Sequence, residues 1–428
     1  MADRYSIAAV NNALKVVALP RQQYQYNNTS FLLNRLKRAT PKLSLGGRTI
    51  EMNLKVGGST SFRSMDELES LPGAKTARWK LSTIPTKTAA AQFSISQQAM
   101  DAAKGQEKAW ISTQAEAQSD LVEQFALRMS QMFYRDGTGA VARVNGAPGA
   151  TSFVVFDDQA TNSGRTFGFK YIEEDMDLSA SANVTAGDKV CERNFSGRVS
   201  RKTESTLTVT VDPGTGDLAT TDYLFIGTKN ATSKNRDFMG LMGIIDDGNI
   251  LASLQGIDRT AAGNEFWKGN LYTSIANADL ENSFRIAYDD IMRRSSKKGG
   301  GGKPNAILTS YGVFRRFSNS IIPGRRFTAA AESQVYTTGV REMNWVAGPG
   351  KEIPLEVDRD CPKGCAFMLD TDSLAMASLA EPGWLDGDGD LLKWDTGLLS
   401  YVGVYYTFGE LVCYGPNRNA LLTGITED

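Results

Sequence analysis

One segment of this 428-residue chain, residues 48–56, alternates almost perfectly between apolar and polar side chains. A period of two is the pattern of a β-strand with one buried face, so this segment constrains the fold strongly. The apolar face consists of Ile50, Met52, Leu54 and Val56. A second strand is predicted over 76–84, with Trp79 and Leu81 among its alternating apolar residues, and a third signal lies at 91–95.

A long polar stretch, residues 57–75, separates the first two strands and predicts an extended two- or three-stranded arm with one apolar face. An isolated hairpin is marginally stable in water, so something must cover that face. No stretch of sequence nearby is obviously dedicated to covering it. On the residues alone, two alternatives are equally open: an ordinary sheet within the chain, or a neighbouring subunit.

The chain contains no histidine. This excludes Ser-His-Asp and Cys-His catalysis, His-ligated zinc, the 2-His-1-carboxylate iron site and a histidine pH switch. The four cysteines, Cys191, Cys361, Cys365 and Cys413, are too few for a disulfide framework, and the close pair 361/365 has no second pair for a Cys₄ zinc site. We expect structural thiols, no enzyme, no catalytic residues, no cofactor and no metal site.

Two motifs resemble ligand-binding loops without completing them. Gly299–Gly302 followed by Lys303 looks like a phosphate loop, but Pro304 stands where a hydroxyl is needed. Residues 386–390 resemble the start of a calcium loop, but Leu391 and Gly397 stand where that loop needs glycine and glutamate. We interpret the first as a flexible loop and the second as a turn, with adventitious cation binding as the alternative.

The net charge of −1 hides an asymmetry along the chain. Residues 1–42 carry seven basic residues and one acidic residue, a net +6, whereas residues 351–428 carry five basic and fourteen acidic, a net −9. The two ends can pair within a chain or between copies, the basic arm can face a polyanion, or it can be a solvated tail. The repeated Arg315-Arg316-Phe317 and Arg325-Arg326-Phe327 suit single-stranded nucleic acid, but helix-end cations or intersubunit salt bridges are favoured.

Hydrophobic periodicity predicts a long helix over 109–135, with a capping box at Thr113–Glu116 and an end at Asp136-Gly137. Residues 151–232 have β character and predict a small barrel or sandwich. Further elements are predicted as a helix at 279–293, a strand at 306–308, a helix at 311–318 and strands at 398–408 and 410–414. The order indicates a mixed α+β fold. No apolar run of about 18 residues and no signal peptide is present, so we expect a soluble protein made in the cytoplasm.

This series of elements resembles the major capsid (coat) proteins of tailed double-stranded DNA bacteriophages, whose Hong Kong-type capsid fold is shared with encapsulins. Three stretches carry the resemblance at the level of residues: Gly240–Gly248 leading to Gln255–Arg259, Ile307–Phe314, and the ending Gly403–Gly409 with Asn417–Ala420.

The resemblance implies a division of the chain. Its parts are an N-terminal arm (1–42), an extended β-hairpin loop (43–96), a peripheral domain with a long spine helix (97–150 and 233–304), an inserted β-rich subdomain with a small β-barrel (151–232), an axial domain (305–400) and C-terminal strands (401–428).

The resemblance also implies a function: self-assembly into the hexamers and pentamers of an icosahedral phage head, the virion shell that encloses double-stranded DNA. The implied partners are further copies of the chain, a separate scaffolding protein, a portal, non-specifically bound DNA and a decoration protein, with no membrane. Intersubunit contacts are expected at Ile50, Met52, Leu54, Trp79, Leu81, Arg315, Arg316, Arg325 and Arg326, and DNA-facing basic residues at Arg35, Lys37 and Arg38.

Two other functions remain as alternatives. An encapsulin-like nanocompartment has the same fold but encloses cargo protein. A calcium-dependent β-rich hydrolase or carbohydrate-binding protein, using Asp386–Asp390, comes from a different class.

Overall fold

The computed structural model describes residues 32, 37–38, 44–46, 49–67, 69–98, 107–156, 168–184, 187–203, 208–212, 214–273, 275, 279–297, 303–321, 343–348, 351–386, 391–395, 397 and 399–427. Most of the predicted N-terminal arm, including Arg35, lies outside these residues, as do Arg325, Arg326, the glycine run and most of the 386–390 motif.

Short strands dominate the chain. They are, in order, β1 (Lys37–Arg38), β2 (Ser44–Gly46), β3 (Thr49–Gly57), β4 (Arg78–Pro85), β5 (Lys87–Ser96), β6 (Ala140–Arg143), β7 (Ser152–Val154), β8 (Asp177–Ser181), β9 (Ser196–Thr203), β10 (Thr208–Asp212), β11 (Tyr223–Thr228), β12 (Ala231–Thr232), β13 (Ser253–Leu254), β14 (Ile257–Asp258), β15 (Asn270–Tyr272), β16 (Ala306–Thr309), β17 (Met343–Gly348), β18 (Lys351–Val357), β19 (Ala366–Leu369), β20 (Leu374–Trp384), β21 (Lys393–Asp395), β22 (Ser400–Cys413) and β23 (Ala420–Leu422).

The α-helices are α1 (Glu107–Tyr134), α2 (Leu241–Ile244), α3 (Leu280–Lys297) and α4 (Tyr311–Ile321). The mixed α+β class predicted from the sequence is confirmed. Helix α1 has 28 residues and spans about 42 Å at 1.5 Å per residue. The helix begins at Glu107, before Thr113, so the predicted cap at Thr113 is wrong. Residues 107–112 contain no glycine or proline that would prevent a helix from beginning there. Its end is as predicted, because Gly137 has φ +77°, which glycine adopts readily after a helix.

The long strand β22 is the centre of a five-stranded sheet. It pairs with β20 and β21, and along its other edge with β5, while β1 adds to β20 in parallel. Helix α1 packs on this sheet through Phe125, whose ring meets Tyr405 edge-on at a centroid distance of 5.0 Å. The two strands predicted near the C-terminus form one, because Gly409 lets β22 continue where a Cβ would lie 2.6 Å from the Ala377 carbonyl oxygen.

Six strands, β6 to β11, close on themselves. Pairings run from β6 to β11, β8, β9, β10 and β7. A bridge between Val144 and Val155 then returns β7 to β6, supported by the Phe156 N–H donating to the Arg143 carbonyl at 3.0 Å. The β-rich insertion predicted over 151–232 thus forms a closed sheet that also includes β6. Its interior is apolar, with Val141, Phe153, Leu178, Phe195, Val199 and Val209 buried.

A mixed six-stranded sheet, in the order β15-β23-β19-β16-β18-β17, forms the remaining part. Helices α3 and α4 pack on it, and the Phe284 ring lies 5.3 Å from Phe317 and 6.2 Å from Trp345 between ring centroids. The C-terminal residues close over α4: the Arg316 guanidinium donates to the Thr426 carbonyl at 2.9 Å. The helices predicted at 279–293 and 311–318 are therefore present and slightly longer than predicted.

Candidate assembly surface

The hairpin of β3 and β4 has two distinct faces, and its register decides which residues share a face. Ile84 stands opposite Ile50, whereas Leu81 stands opposite Asn53 and Trp79 opposite Lys55. Residues directly opposite in an antiparallel pair lie on the same face. Trp79 and Leu81 therefore lie on the opposite face from Ile50, and the prediction of a single apolar face carrying both groups is wrong.

The face that carries Ile50, Met52 and Leu54 is covered by the chain itself. These side chains are buried, with Ile50 wholly inaccessible, and they belong to the same apolar core as Leu254 and Trp267. The prediction that this face waits for a neighbouring subunit is wrong. The cover comes from the β13–β14 turn and the segment after it, about two hundred residues further along the chain.

Polar contacts fix the hairpin on this cover. The Ser82 hydroxyl and the Thr83 N–H both donate to the Gln255 carbonyl, at 2.8 and 3.2 Å. The Lys80 ammonium donates to the Asn264 side-chain oxygen. Gly256 has φ +76°, and a Cβ there would lie 2.6 Å from the Thr83 hydroxyl, so glycine permits this close approach.

The other face of the hairpin and its long connection expose large apolar side chains. Trp79 is 61% and Leu81 54% exposed, and in the connection Phe62 is 90% and Leu71 85% exposed. We call Phe62, Leu71, Trp79 and Leu81 the arm surface. Large exposed apolar patches are typical of interaction sites, so these four residues are the candidates for contact with a partner. The sequence pattern indicated Trp79 and Leu81 but not Phe62 and Leu71. Each of the latter two is an apolar residue in a polar stretch, and that was the only sign in the sequence of a side chain exposed for binding.

Residues 58–77, which connect β3 and β4, form no helix or strand where the structure describes them. An ion pair between Arg63 and Glu69 at 3.0 Å crosses the connection, and Arg63 also donates to the Ser70 carbonyl at 2.8 Å. Both partners of the ion pair are nearly half exposed, so water screens it and it stabilises the segment little. The ion pair therefore does little to fix the shape of the connection.

A buried charge network holds the base of the arm to the body. Lys87, at the start of β5, lies 3.4 Å from the Glu410 carboxylate, and Glu410 accepts a hydrogen bond from the Met239 N–H at 2.6 Å. Arg135, just after α1, lies 3.4 Å from Asp237. Burial raises the pKa of both carboxyls above their ordinary values, while the nearby cations act in the opposite direction. The arm, the long helix and β22 are thus coupled at one point.

The stretch 240–259 builds a second buried pair. Arg259 is inaccessible, lies 3.5 Å from Asp246 and donates to the Gly243 and Ile244 carbonyls at 2.8 and 3.0 Å. Burial lowers the pKa of Arg259 to about 10 and raises that of Asp246. These contacts order the turn under the hairpin and leave no reactive group exposed, so their role is structural.

The remaining predicted site residues are only partly described. Arg315 is exposed on α4, whereas Arg316 is engaged with the C-terminal segment of its own chain. The backbones of Lys37 and Arg38 pair with Ala375 and Met376 of β20. DNA contact by Lys37 and Arg38 stays a prediction, as does intersubunit contact by Arg315 and Arg316.

Other sites are scarce in the part of the chain that the structure describes. All four cysteines are buried and free, and burial raises the pKa of Cys413 to about 12. Within the described ranges, no group of three or more Cys, Asp or Glu side chains is placed to hold a metal ion. No described helix is long and apolar enough to cross a membrane.

Comparison with known proteins finds likeness in structure. No protein-family model and no curated protein sequence matches the chain. Among solved structures, the cyanophage A-1(L) capsid asymmetric unit is 13% identical with a TM-score of 0.48, covering 100% of this chain and 95% of that chain. The capsid of a native GTA particle is 10% identical (TM-score 0.44, 93% and 91%), and the satellite phage P4 procapsid that includes the size determination protein is 8% identical (TM-score 0.40, 95% and 99%). The chain is similar over most of its length to phage capsid proteins.

Proposed function

We propose that this chain is a major capsid protein, which self-assembles into the hexamers and pentamers of an icosahedral phage head around double-stranded DNA. The observation that carries the proposal is the arm surface. Four large apolar side chains are exposed: Trp79 and Leu81 on a hairpin whose other face is already packed, and Phe62 and Leu71 in the connection between its strands. A chain that worked alone would gain nothing from this exposure, whereas a second copy would bury it.

The geometry suits a structural role without a catalytic step. The arm is fixed at its base by the buried Lys87–Glu410 pair and at its middle by contacts to Gln255, while its far end, residues 58–77, forms no helix or strand where the structure describes it. A rigid base with an adaptable end suits a subunit that must fit neighbours in both five-fold and six-fold rings. Each contact can be modest, because many repeated interfaces add up, while association and ordering costs keep each one reversible.

Several partners extend the proposal beyond self-assembly. A scaffolding protein would guide shell curvature, a portal would occupy one vertex, and a decoration protein would bind the outside. DNA would be held non-specifically by basic residues such as Arg35, Lys37 and Arg38, so its binding would weaken with salt. The division of the chain into arm, extended loop, peripheral, inserted and axial parts belongs to the same proposal, as does a place in the virion.

Electron microscopy and sedimentation of the expressed full chain, alone and with a scaffolding protein, test the proposal. Closed particles of uniform size are expected. Trp79→Ser combined with Phe62→Ser should abolish them while the subunit stays folded. The matched control is Val190→Ser, because Val190 is 45% exposed on the inserted subdomain and should not affect assembly. A chain that stays monomeric under all these conditions contradicts the proposal, as do particles that tolerate loss of both aromatic residues.

The contents of the particles separate the two shell functions. DNA inside particles from infected cells supports the phage head. Particles that enclose a protein cargo and no nucleic acid would instead indicate an encapsulin-like compartment. A thermal shift on calcium titration of the unassembled chain would favour the calcium-dependent alternative.

A further inference from the structure

Strand β5 is an edge strand with an unusual composition. It runs from Lys87 to Ser96 and pairs with β22 along its whole length, from Lys87 opposite Gly409 to Ser96 opposite Ser400, without a bulge. Within the described ranges, no strand pairs with its other side. From Thr88 to Ser96 it contains no charged residue and no proline.

One hydrogen bond fixes which residues of β5 face the open side. The Gln97 N–H donates to the Leu399 carbonyl at 3.0 Å, so residue 97 is in a hydrogen-bonded position opposite 399. Because such positions alternate in an antiparallel pair and the register is unbroken, the odd-numbered residues of β5 bond to β22. The even-numbered residues therefore direct their backbone N–H and C=O groups to the open side, among them Thr88, Ala90, Gln92 and Ser94. All four are exposed.

An edge of this kind recruits another strand unless the protein protects it. Strand β4, which precedes β5 in the chain and belongs to another sheet, shows the usual protection, with Arg78, Lys80 and Pro85. Strand β5 has none of these devices. Its one charged residue, Lys87, is already engaged by Glu410 at 3.4 Å.

We infer that β5 pairs antiparallel with β5 of a second copy of this chain, which extends the five-stranded sheet across a two-fold axis. Self-pairing suits this strand because its uncharged residues meet without like-charge repulsion and its exposed side chains are small or flexible. An isologous contact of this kind involves two chains only. It pairs the free backbone groups of both edges, so no third chain can add to the sheet at this edge. It is a different interface from the arm surface and does not depend on it.

Residue-resolved hydrogen exchange of the full chain over a dilution series tests the pairing. In dilute, dissociated chain the amides of Ala90, Gln92 and Ser94 should exchange fast, whereas those of Ala91 and Phe93 should be protected by β22. In associated chain all five should be protected. If exchange along β5 still alternates between fast and slow amides in the associated chain, the inference is overturned. Protection of all five that does not depend on dilution overturns it too, because the edge would then be occupied within one chain.

A backbone substitution gives an independent test. Gln92→Pro removes an N–H that faces away from β22, and a proline suits an edge position. It should weaken self-association at least tenfold by sedimentation equilibrium, whereas Gln92→Ser, which keeps the N–H, should not. If Gln92→Pro lowers the thermal midpoint, Gln92→Lys is used instead, because it adds a positive charge to the pairing edge of both copies. Unchanged association in the variant used contradicts the pairing.

Different results would contradict the edge pairing and the proposed function. Particles whose β5 edge amides stay exposed would contradict the edge pairing and leave the proposed function standing. Dimers with protected edges that never form particles would contradict the proposed function and leave the pairing standing. The double variant Trp79→Ser, Phe62→Ser should lose particles and keep the protected edge.

Discussion

The two faces of the hairpin predict opposite consequences for two substitutions. Ile50→Ala removes three carbon atoms from a fully buried side chain. At about 0.8 kcal/mol for each buried carbon, the transfer cost alone is about 2.4 kcal/mol, and the residual cavity brings the loss to about 3–4 kcal/mol. Trp79→Ala removes a side chain that is 61% exposed, and should change the free energy of unfolding by no more than about 0.5 kcal/mol.

Chemical denaturation of the unassembled chain, followed by far-ultraviolet circular dichroism, measures the change in the free energy of unfolding for each variant. Sedimentation at matched folded concentration measures the assembly yield of each variant. Trp79→Ala should reduce assembly and spare stability, whereas Ile50→Ala should reduce stability first. Equal losses of stability in the two variants would refute the assignment of the two residues to opposite faces.

Three further outcomes follow from the body of the subunit. Gly139→Ala should destabilise the chain by at least about 1–2 kcal/mol in thermal unfolding, because φ is +82° and a Cβ would lie 1.9 Å from the Ser233 carbonyl oxygen. Arg259→Met should cost about 3–5 kcal/mol, because it leaves the Asp246 carboxylate buried without its cation, and a loss below about 1 kcal/mol would contradict this. Burial raises the pKa of Glu410, so its contribution to stability is present below the pKa of the unfolded chain and is lost as pH rises through the folded pKa. Wild type should therefore lose stability relative to Glu410→Gln as pH increases, and a difference independent of pH would contradict the shift.

Periodicity predicted the existence of the elements well. The helix over 109–135, the alternating strand over 48–56 and the β-rich insertion are all present in the structure. These patterns depend on local spacing, which a single sequence displays directly. The start of α1 was placed too late because a capping-box pattern also occurs inside helices when nothing before it breaks the helix.

The relation between faces and their covers was not predictable in the same way. Alternation showed that Ile50 needs a cover, but the cover is the turn at Gln255, and nothing in either stretch alone indicates the other. The face on which Trp79 lies depends on the register of the two strands, which sets Trp79 opposite Lys55 and Ile84 opposite Ile50, and the pattern of either strand alone does not reveal that register. Long-range pairing also brings β6 into the closed sheet, although it precedes the predicted insertion.

The closed sheet enters and leaves the body at one place. The Asn235 N–H donates to the Thr138 carbonyl at 2.7 Å, and the Ser233 hydroxyl donates to the Gly139 carbonyl at 2.7 Å, so the two connecting strands of chain run side by side. The segment 139–234 therefore begins and ends at neighbouring points in space, which hydrogen bonds join directly. A short linker bridging Thr138 and Asn235 would restore continuity if the whole module were excised, which makes this position a natural graft point for foreign domains carried by the subunit.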